Sequence, residues 1–421
     1  MKALLLAYFT APLLSPESML VRRMLHATAS PGLSWDLVTV NPLFAYGAKD
    51  HGSGIALETL EHPPHICRVP SAEYVLAPFY ALFPRLRLLP DTRRGWVSFA
   101  VRAAAKRIRQ EPQDVLVTWA QPYSSHLAGL ALKKRFPQLP WVAYFGDPWG
   151  GNPYIDTIPN SCVVQEGEVL RRAERIIVNT RAVREDMIRR HALKETEKIY
   201  VIPHSCDHAW LEKTPPGEPR DGQINGQRTG QKTGQKPCTL TYAGNFYGKR
   251  TPEPLLEGLR FVPSESKNSL EVRFVGKFPE SSKDTVRELE PLVKLYGQKS
   301  YGETRKLLDA SDMLLLIDAP LAESMFLPSK LVDYLALRKP MLAITPRGGA
   351  SWQALEGLEH VYRMDPGETE KIGMFLAQLA RGEIAFSQAP SVPNAFLPET
   401  VGEQWRRVLE EARKALPKET L

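Results

Sequence analysis

The feature that most restricts this chain is its rhythm. Short, unbroken apolar runs alternate with longer stretches of helical periodicity, and the alternation occurs twice, on either side of a Gly/Gln-rich break. Apolar runs of four to seven residues without polar alternation suit strands buried on both faces, which are the strands of parallel sheets covered by helices. In the first series, strands are expected at 3–9, 36–40, 115–118, 141–145, 175–179 and 199–202. Helices are expected at 18–28, 94–109, 126–136 and 182–191. The break, 215–237, holds five glycines and, apart from Ile224, no large apolar residue. Such a segment cannot bury enough surface to offset its ordering entropy, so it reads as an insertion at a domain boundary. The second series has strands expected at 240–243, 271–276, 313–317 and 341–345, and helices at 253–261, 281–296 and 329–337. A charged amphipathic helix over 398–416 closes the chain.

At 421 residues the chain is too long for one core and suits two α/β domains. The expected division is 1–205, a linker with the flexible insertion at 206–238, a second domain at 239–395, and a terminal helix at 396–421 packing back toward the first domain. Two such series imply two Rossmann-like domains with parallel sheets facing a central cleft, where ligands bind beyond the carboxyl ends of the strands.

Composition narrows the function. Net charge is +7, which favours anionic partners. No aromatic-interleaved basic stripe, zinc-finger or basic-zipper pattern is present, so nucleic acid is not an expected partner. The four cysteines, Cys67, Cys162, Cys206 and Cys238, are scattered with no Cys-x-x-Cys pair, which argues against a zinc or redox motif and fits a reducing, cytoplasmic setting. The apolar run at the start is too short for a membrane span and lacks a cleavage signature, so a buried first strand explains it better. The Gly-x-Gly-x-x-Gly fingerprint, the Walker loop and the Gly-x-Ser-x-Gly elbow are absent, which disfavours nicotinamide, flavin, P-loop and serine-hydrolase chemistry.

Two strand–loop–helix units remain. In the first, Gly244 and Gly248 bracket a turn off a strand end, with Asn245, Lys249 and Arg250 within it and Pro252-Glu253 opening a helix. Glycines let the backbone approach a ligand closely, and paired cations at a strand end suit a pyrophosphate. The second, Pro328-Ser329-Lys330-Leu331-Val332-Asp333, opens another helix. Its N-terminal N–H groups and Lys330 suit a phosphate, and Asp333, on the same face, suits ribose hydroxyls. An ordinary capped helix with solvated charges would produce either unit alone. A third cluster lies in the first half, where Gln121–His126 and Phe145–Gly151 each follow a strand. There His126 could touch a sugar hydroxyl or simply make a local hydrogen bond, and Asp147 could be a turn residue.

The residues 124–133 and 141–149, the run Val201-Ile202-Pro203-His204-Ser205-Cys206-Asp207, and 242–250, 275–276, 310–312 and 327–334 with Lys339-Pro340 resemble family 4-type glycosyltransferases, in that family's order and over most of the chain. The resemblance implies the GT-B fold, a nucleotide-diphosphate sugar donor held mainly by the C-terminal domain, no metal or other cofactor, and retention of anomeric configuration. It implies transfer of a hexose-type sugar to a polysaccharide or lipid-linked glycan. Carried over by position, Lys249 and Arg250 match donor-phosphate cations, and Lys330 with Ser329 the second phosphate contact. Asp333 stands where the family has the second glutamate of its Glu-seven residues-Glu motif. Met325 takes the first glutamate's place, with Glu323 two residues away. That departure keeps open a catalytically silent subunit that assists a partner transferase, and a sugar-nucleotide epimerase on the same fold is the other alternative. His126 matches the family's sugar-side histidine, and Arg250, Lys330 and His126 are the expected catalytic set. Asp147, Trp149 and Arg22 are expected on the acceptor side.

Members of the family often dock on membranes. Here Arg85, Arg87, Arg93, Arg94, Arg102, Lys106, Arg107 and Arg109 are mixed with Phe79, Phe83, Leu86, Leu88, Leu89, Trp96 and Phe99. The mixture suits either a peripheral patch against the anionic inner face of the plasma membrane or an ordinary solvated helix face over a core.

Overall fold

The computed structural model describes residues 1–50, 55–83, 91–155, 157–213, 236–322, 324–384 and 391–415. The chain forms two compact units, Met1–Ser205 with Asn394–Leu421, and Cys206–Pro393.

The first unit is built on seven parallel strands: β1 (Lys2–Leu6), β2 (Ser34–Val40), β3 (His65–Val69), β4 (Val115–Ala120), β5 (Trp141–Phe145), β6 (Arg175–Val178) and β7 (Ile199–Val201), in the order β3-β2-β1-β4-β5-β6-β7. The central strands are buried along their whole length, as their unbroken apolar sequences require. Register is regular across the centre, with Leu5 paired to Val117 and Val117 to Val142. The order reverses between β1 and β4, and the loops leaving those two strands open a crevice at their carboxyl ends.

The second unit repeats this plan with six strands: β8 (Cys238–Ala243), β9 (Leu270–Val275), β10 (Val293–Gly297), β11 (Met313–Ile317), β12 (Met341–Ile344) and β13 (Val361–Met364), in the order β10-β9-β8-β11-β12-β13. Its reversal lies between β8 and β11. Leu240, Val272, Leu315, Leu342 and the helix residues Leu255, Leu256, Ile372 and Leu376 form one core.

Three differences from the sequence reading are physical. Residues 281–296 are not one helix: the helix Lys283–Glu288 stops short of Pro291, and β10 follows as an edge strand with mostly exposed residues. Proline removes a helical donor and biases the residue before it away from helix. Residues 206–213 are not linker. Asp207 caps the helix His208–Glu212, and Trp210 sits in the second unit, 5.4 Å from the Tyr301 ring and under the Arg305 guanidinium. Third, β3, β13 and the helices Glu73–Leu82, Asn160–Arg172, Tyr301–Asp309 and Thr369–Ala380 were not anticipated. In β3 the apolar signal is diluted by His65, Cys67 and Arg68, and the Asn160–Arg172 helix has a long polar face. Of the two readings open for Trp96, the structure shows core. The Gly/Gln segment 214–235, Arg85, Arg87, Leu86, Leu88, Leu89 and Glu323 lie outside the described residues.

The terminal helix Pro398–Lys414 belongs to the first unit. It packs on the helix Pro16–Ala27 and stacks Trp405 on Trp119 at 5.9 Å.

Candidate functional site

The two cationic units converge at the β8/β11 reversal. Arg250 follows β8 and Lys330 follows β11, so the topology alone brings them to one end of the sheet. The loop from β8 is shaped by two glycines. Gly244 has φ +138, and a Cβ there would stand 2.5 Å from Lys330 Nζ; Gly276, after β9, has φ +129, and a Cβ there would stand 2.4 Å from the Gly244 carbonyl oxygen. Both positions need glycine: at Gly276 backbone passes backbone, and at Gly244 the Lys330 ammonium passes over the turn. The Asn245 side chain pins the turn by accepting the Lys277 N–H at 2.8 Å.

Lys330 lies along this turn with its ammonium 3.8 Å from the centre of the Tyr242 ring, a cation–π contact on the floor of the site. Its Nζ is buried and makes no hydrogen bond. Burial, and then the like charge of Arg250, hold its pKa well below lysine's ordinary value, while Asp318 and Asp333 pull the other way. The two cations therefore feel one another. Arg250 is buried, with Nη2 3.6 Å from Asp318 Oδ1 and its guanidinium 5.2 Å from the Tyr247 ring. Asp318, just past β11 and also buried, is fixed from its other oxygen by the Thr345 hydroxyl at 3.0 Å. The Tyr334 hydroxyl accepts the Ala243 N–H at 2.8 Å and ties the helix carrying Lys330 to the end of β8.

Ser329 opens the helix Ser329–Ala336 directly after Pro328, and no side chain caps it. Uncapped first-turn N–H groups beside a cation favour an anion. Asp333 is half-buried one turn in, within electrostatic reach of Lys330. Lys249, paired with Arg250 in the sequence reading, is exposed while Arg250 is buried. Of the two adjacent cations only Arg250 is built into the site. Asp318 was missed because a lone acid after an apolar strand reads as a turn residue, and only the fold places it against Arg250.

In the first unit, His126 lies in the helix Ser124–Arg135, whose start is capped by Asp91: its carboxylate accepts the Ser124 N–H at 2.9 Å and the Ser124 hydroxyl at 2.8 Å. The imidazole is 0% exposed, with Nδ1 2.8 Å from the Thr118 hydroxyl, and its ring lies 4.2 Å from that of Phe145. Burial drives its pKa down to about 3. It is thus a neutral group, able to share a hydrogen bond through Nε2 but unable to act as a charged acid near neutral pH. Asp147 is half-buried and accepts Gln121 Nε2–H at 2.9 Å. Trp149, expected to face an acceptor, is buried instead: its ring stacks on Tyr123 at 5.2 Å and its backbone N–H donates to Glu166 Oε1 at 2.6 Å. Arg22 is half-buried on the helix Pro16–Ala27. Glu17, on the same helix and not anticipated, accepts Trp119 Nε1–H at 2.7 Å. Its pKa is pushed up to about 7, by burial first and by the Asp147 charge as well. The β1/β4 reversal is therefore bordered by acids where the β8/β11 reversal is bordered by cations.

Residues 55–210 match the family model for Glycosyltransferase Family 4. No curated protein matches the chain. Among solved structures, Anabaena Alr3699/HepE, crystallised with UDP and glucose, is similar at TM-score 0.60 and 16% identity, covering 97% of this chain and 99% of that one. The lipopolysaccharide outer core galactosyltransferase WaaB is similar at TM-score 0.59 and 15% identity, with 98% and 99% covered. WaaG, a glycosyltransferase involved in lipopolysaccharide biosynthesis, is similar at TM-score 0.56 and 13% identity, with 99% and 100% covered. At these identities the likeness establishes the fold. Residues 55–210 are thus similar to that family, and the chain has the GT-B fold: two Rossmann-like units, each on its own parallel sheet.

Proposed function

We propose that this family 4-like chain is a glycosyltransferase that takes a sugar from a nucleotide-diphosphate donor bound in its second unit. The observation that carries the reading is the convergence of Arg250 and Lys330 at the β8/β11 reversal, the first buried and the second with its ammonium buried, with Asp318 paired to Arg250 and within electrostatic reach of Lys330. A diphosphate placed there meets two cations, the glycine turn at Gly244 and the uncapped start of the Ser329–Ala336 helix.

The chemistry follows from that charge. Breaking the bond between sugar and diphosphate leaves negative charge on the departing phosphate, and cations fixed where the charge grows lower the barrier. Arg250 offers a planar fork to phosphate oxygens, and Lys330 a point charge that needs no rearrangement. Asp318 holds Arg250 in place and moderates the repulsion between the two cations. With two cations and a helix start on the diphosphate, no divalent metal is needed in this reading. Asp333 is assigned to ribose hydroxyls, His126 to a sugar hydroxyl through its neutral Nε2, and Asp147 to the acceptor side. Retention of configuration, a hexose-type sugar, and a polysaccharide or lipid-linked glycan acceptor complete the proposal. These rest on the family resemblance.

The test is a donor panel. UDP-, GDP-, ADP- and TDP-sugars are titrated against the protein by calorimetry, with thermal shift and slow donor hydrolysis in parallel. At least one should bind, and Arg250→Ala or Lys330→Ala should weaken it by about 1.5–3 kcal/mol. Unchanged affinity in both variants removes these residues from the site, and no binding by any donor removes the transferase reading.

A further inference from the structure

Thr118 interrupts the apolar strand β4, and Trp141 opens β5. Both strands are buried throughout, so their polar side-chain atoms must find partners inside the fold. The register pairs Leu116 with Trp141, which puts Trp141 and Thr118 on one face of the sheet. There the Thr118 hydroxyl oxygen lies 2.8 Å from Trp141 Nε1 and 2.8 Å from His126 Nδ1, and it makes no other hydrogen bond among the described residues. An indole N–H only donates, so Trp141 occupies one lone pair of that oxygen. Burial keeps His126 neutral, with one ring nitrogen a hydrogen-bond donor and the other an acceptor. With the proton on Nδ1, the Thr118 hydroxyl hydrogen would have no acceptor and Nε2 would have no donor. With Nδ1 accepting, the hydroxyl hydrogen is used and only Nε2–H is left over. The second arrangement leaves one buried polar group unmet instead of two, and each such group costs about 1–3 kcal/mol.

The helix Ser124–Arg135 is seated for this contact by a missing side chain. A Cβ on Gly129 would stand 2.6 Å from Trp141 Cζ2 and 2.8 Å from Thr118 Cγ2. Glycine lets the helix lie against both residues, and His126, three positions earlier and so on the same face, reaches Thr118. Across the ring from Nδ1, Nε2 is buried and meets no hydrogen-bond partner. The ring borders Phe145, the last residue of β5, and its helix follows β4. The leftover N–H therefore stands at the carboxyl ends of β4 and β5, next to the β1/β4 reversal. Packing alone gives no reason to keep a buried hydrogen-bond donor whose proton is fixed by two neighbours and then left unmet. An oxygen supplied by a ligand removes that cost.

We infer that Trp141 and Thr118 hold His126 as its Nε2–H tautomer, and that Thr118 is a positioning residue through which the ring presents a fixed hydrogen-bond donor to an oxygen of the sugar being transferred. The sugar as partner rests on the sugar-nucleotide reading above; the tautomer rests on the first unit's own geometry. In this state Nε2 cannot take up a proton from the sugar. The group it meets must accept a hydrogen bond, so a hydroxyl or carbonyl oxygen fits the position and an ammonium group does not.

Long-range proton–nitrogen NMR spectra of the full chain, labelled at histidine and free of ligand at neutral pH, read which nitrogen of His126 carries the proton. Its signals are identified by their loss in His126→Gln. The wild-type chain should show a protonated Nε2 and a bare Nδ1. Thr118→Ser should match it, and Thr118→Val should show a proton on Nδ1 or a mixture of tautomers. Calorimetry then compares the same chains with the tightest binder among UDP-, GDP-, ADP- and TDP-glucose and with its free nucleoside diphosphate. Thr118→Val should lose about five- to tenfold in affinity for the sugar nucleotide and nothing for the nucleoside diphosphate, while Thr118→Ser keeps wild-type affinity for both. A protonated Nδ1 in the wild-type chain overturns the proposal, and that result does not depend on whether Thr118→Val folds. Equal losses in the serine and valine variants overturn the positioning role, as does an equal loss for the nucleoside diphosphate. If no sugar nucleotide binds, the transferase reading falls, and the spectra still decide the tautomer.

Discussion

At the scale of single residues, the candidate site depends on what glycine omits. A side chain at Gly244 would put a Cβ 2.5 Å from Lys330 Nζ and 3.0 Å from its Cε, at a φ of +138 that other residues rarely adopt. The displaced group is the flexible end of a lysine, so the packing conflict alone is small, and the backbone strain costs about 1–3 kcal/mol. The larger consequence is functional, because Lys330 must leave the Tyr242 ring to make room. Gly244→Ala should therefore lose donor affinity by tenfold or more. Gly357→Ala, with φ +74 and open space around it, should cost comparable stability and leave donor affinity alone. Equal affinities in the two variants would show that Lys330 is not held where the donor binds. Gly244, Arg250 and Lys330 were legible from sequence because a glycine turn and cations after strands form a local pattern. Asp318 and Glu17 were not, since what distinguishes each is a partner far along the chain, Arg250 in one case and Trp119 in the other. Trp149 was misplaced because an aromatic after Asp-Pro looks the same whether it faces a ligand or stacks on Tyr123.

At the scale of elements, apolar strands were legible and three of the four edge strands were not. β11 and β12 are unbroken apolar runs and β8 is broken only by Thr239 and Thr241, whereas the edge strands β3, β10 and β13 each carry an Arg or a Lys; the edge strand β7, Ile199-Tyr200-Val201, is apolar and was expected. The terminal helix is an element whose place depends on one small residue. A Cβ on Gly402 would lie 1.8 Å from the Ala27 carbonyl oxygen, a backbone atom that cannot swing away. Gly402→Ala must push the helix Pro398–Lys414 off the helix Pro16–Ala27 and disturb Trp405, Val408 and Leu409, all nearly inaccessible. The expected cost is about 1–3 kcal/mol in the unfolding of the first unit, as for other overpacked contacts. Differential scanning calorimetry should show the first unit's transition moving to lower temperature and the second unit's holding still. A shift in the second transition instead would place the helix with the other unit.

At the scale of the whole molecule, buried titratable groups give the two units different responses to acid. His126 and His204 in the first unit have pKa values driven down to about 3 from an ordinary 6.5, and burial is the main cause for both. Glu17 and Glu73 in the same unit are pushed up to about 7 from 4.5, again by burial first. Between pH 6.5 and 4.5 the unfolded chain carries protons on both histidines and neither glutamate, and the folded unit carries them on both glutamates and neither histidine. The difference in bound protons from these four groups is therefore near zero, and they give no slope in that window. Below pH 4.5 the unfolded glutamates are protonated too, leaving the unfolded chain with two more protons than the folded unit. Stability of the first unit then falls by about 2.7 kcal/mol per pH unit. The second unit holds His360, lowered to about 4 by burial, with no raised glutamate of this kind among its described residues. There the unfolded chain binds one more proton between pH 6.5 and about 4, and stability falls by about 1.4 kcal/mol per pH unit across that window. On acidification the second unit should thus loosen first. Hydrogen exchange followed peptide by peptide should show β8–β13 losing protection between pH 6.5 and 4.5 while β1–β7 keep theirs, with exchange rates corrected for intrinsic pH dependence. His360→Phe should flatten the second unit's response, and Glu17→Gln with Glu73→Gln should make the first unit's stability fall from pH 6.5 instead of 4.5. If the first unit loosens in step with the second in the unsubstituted protein, the acids do not offset the histidines, and Glu17 at the β1/β4 reversal is ionised at neutral pH.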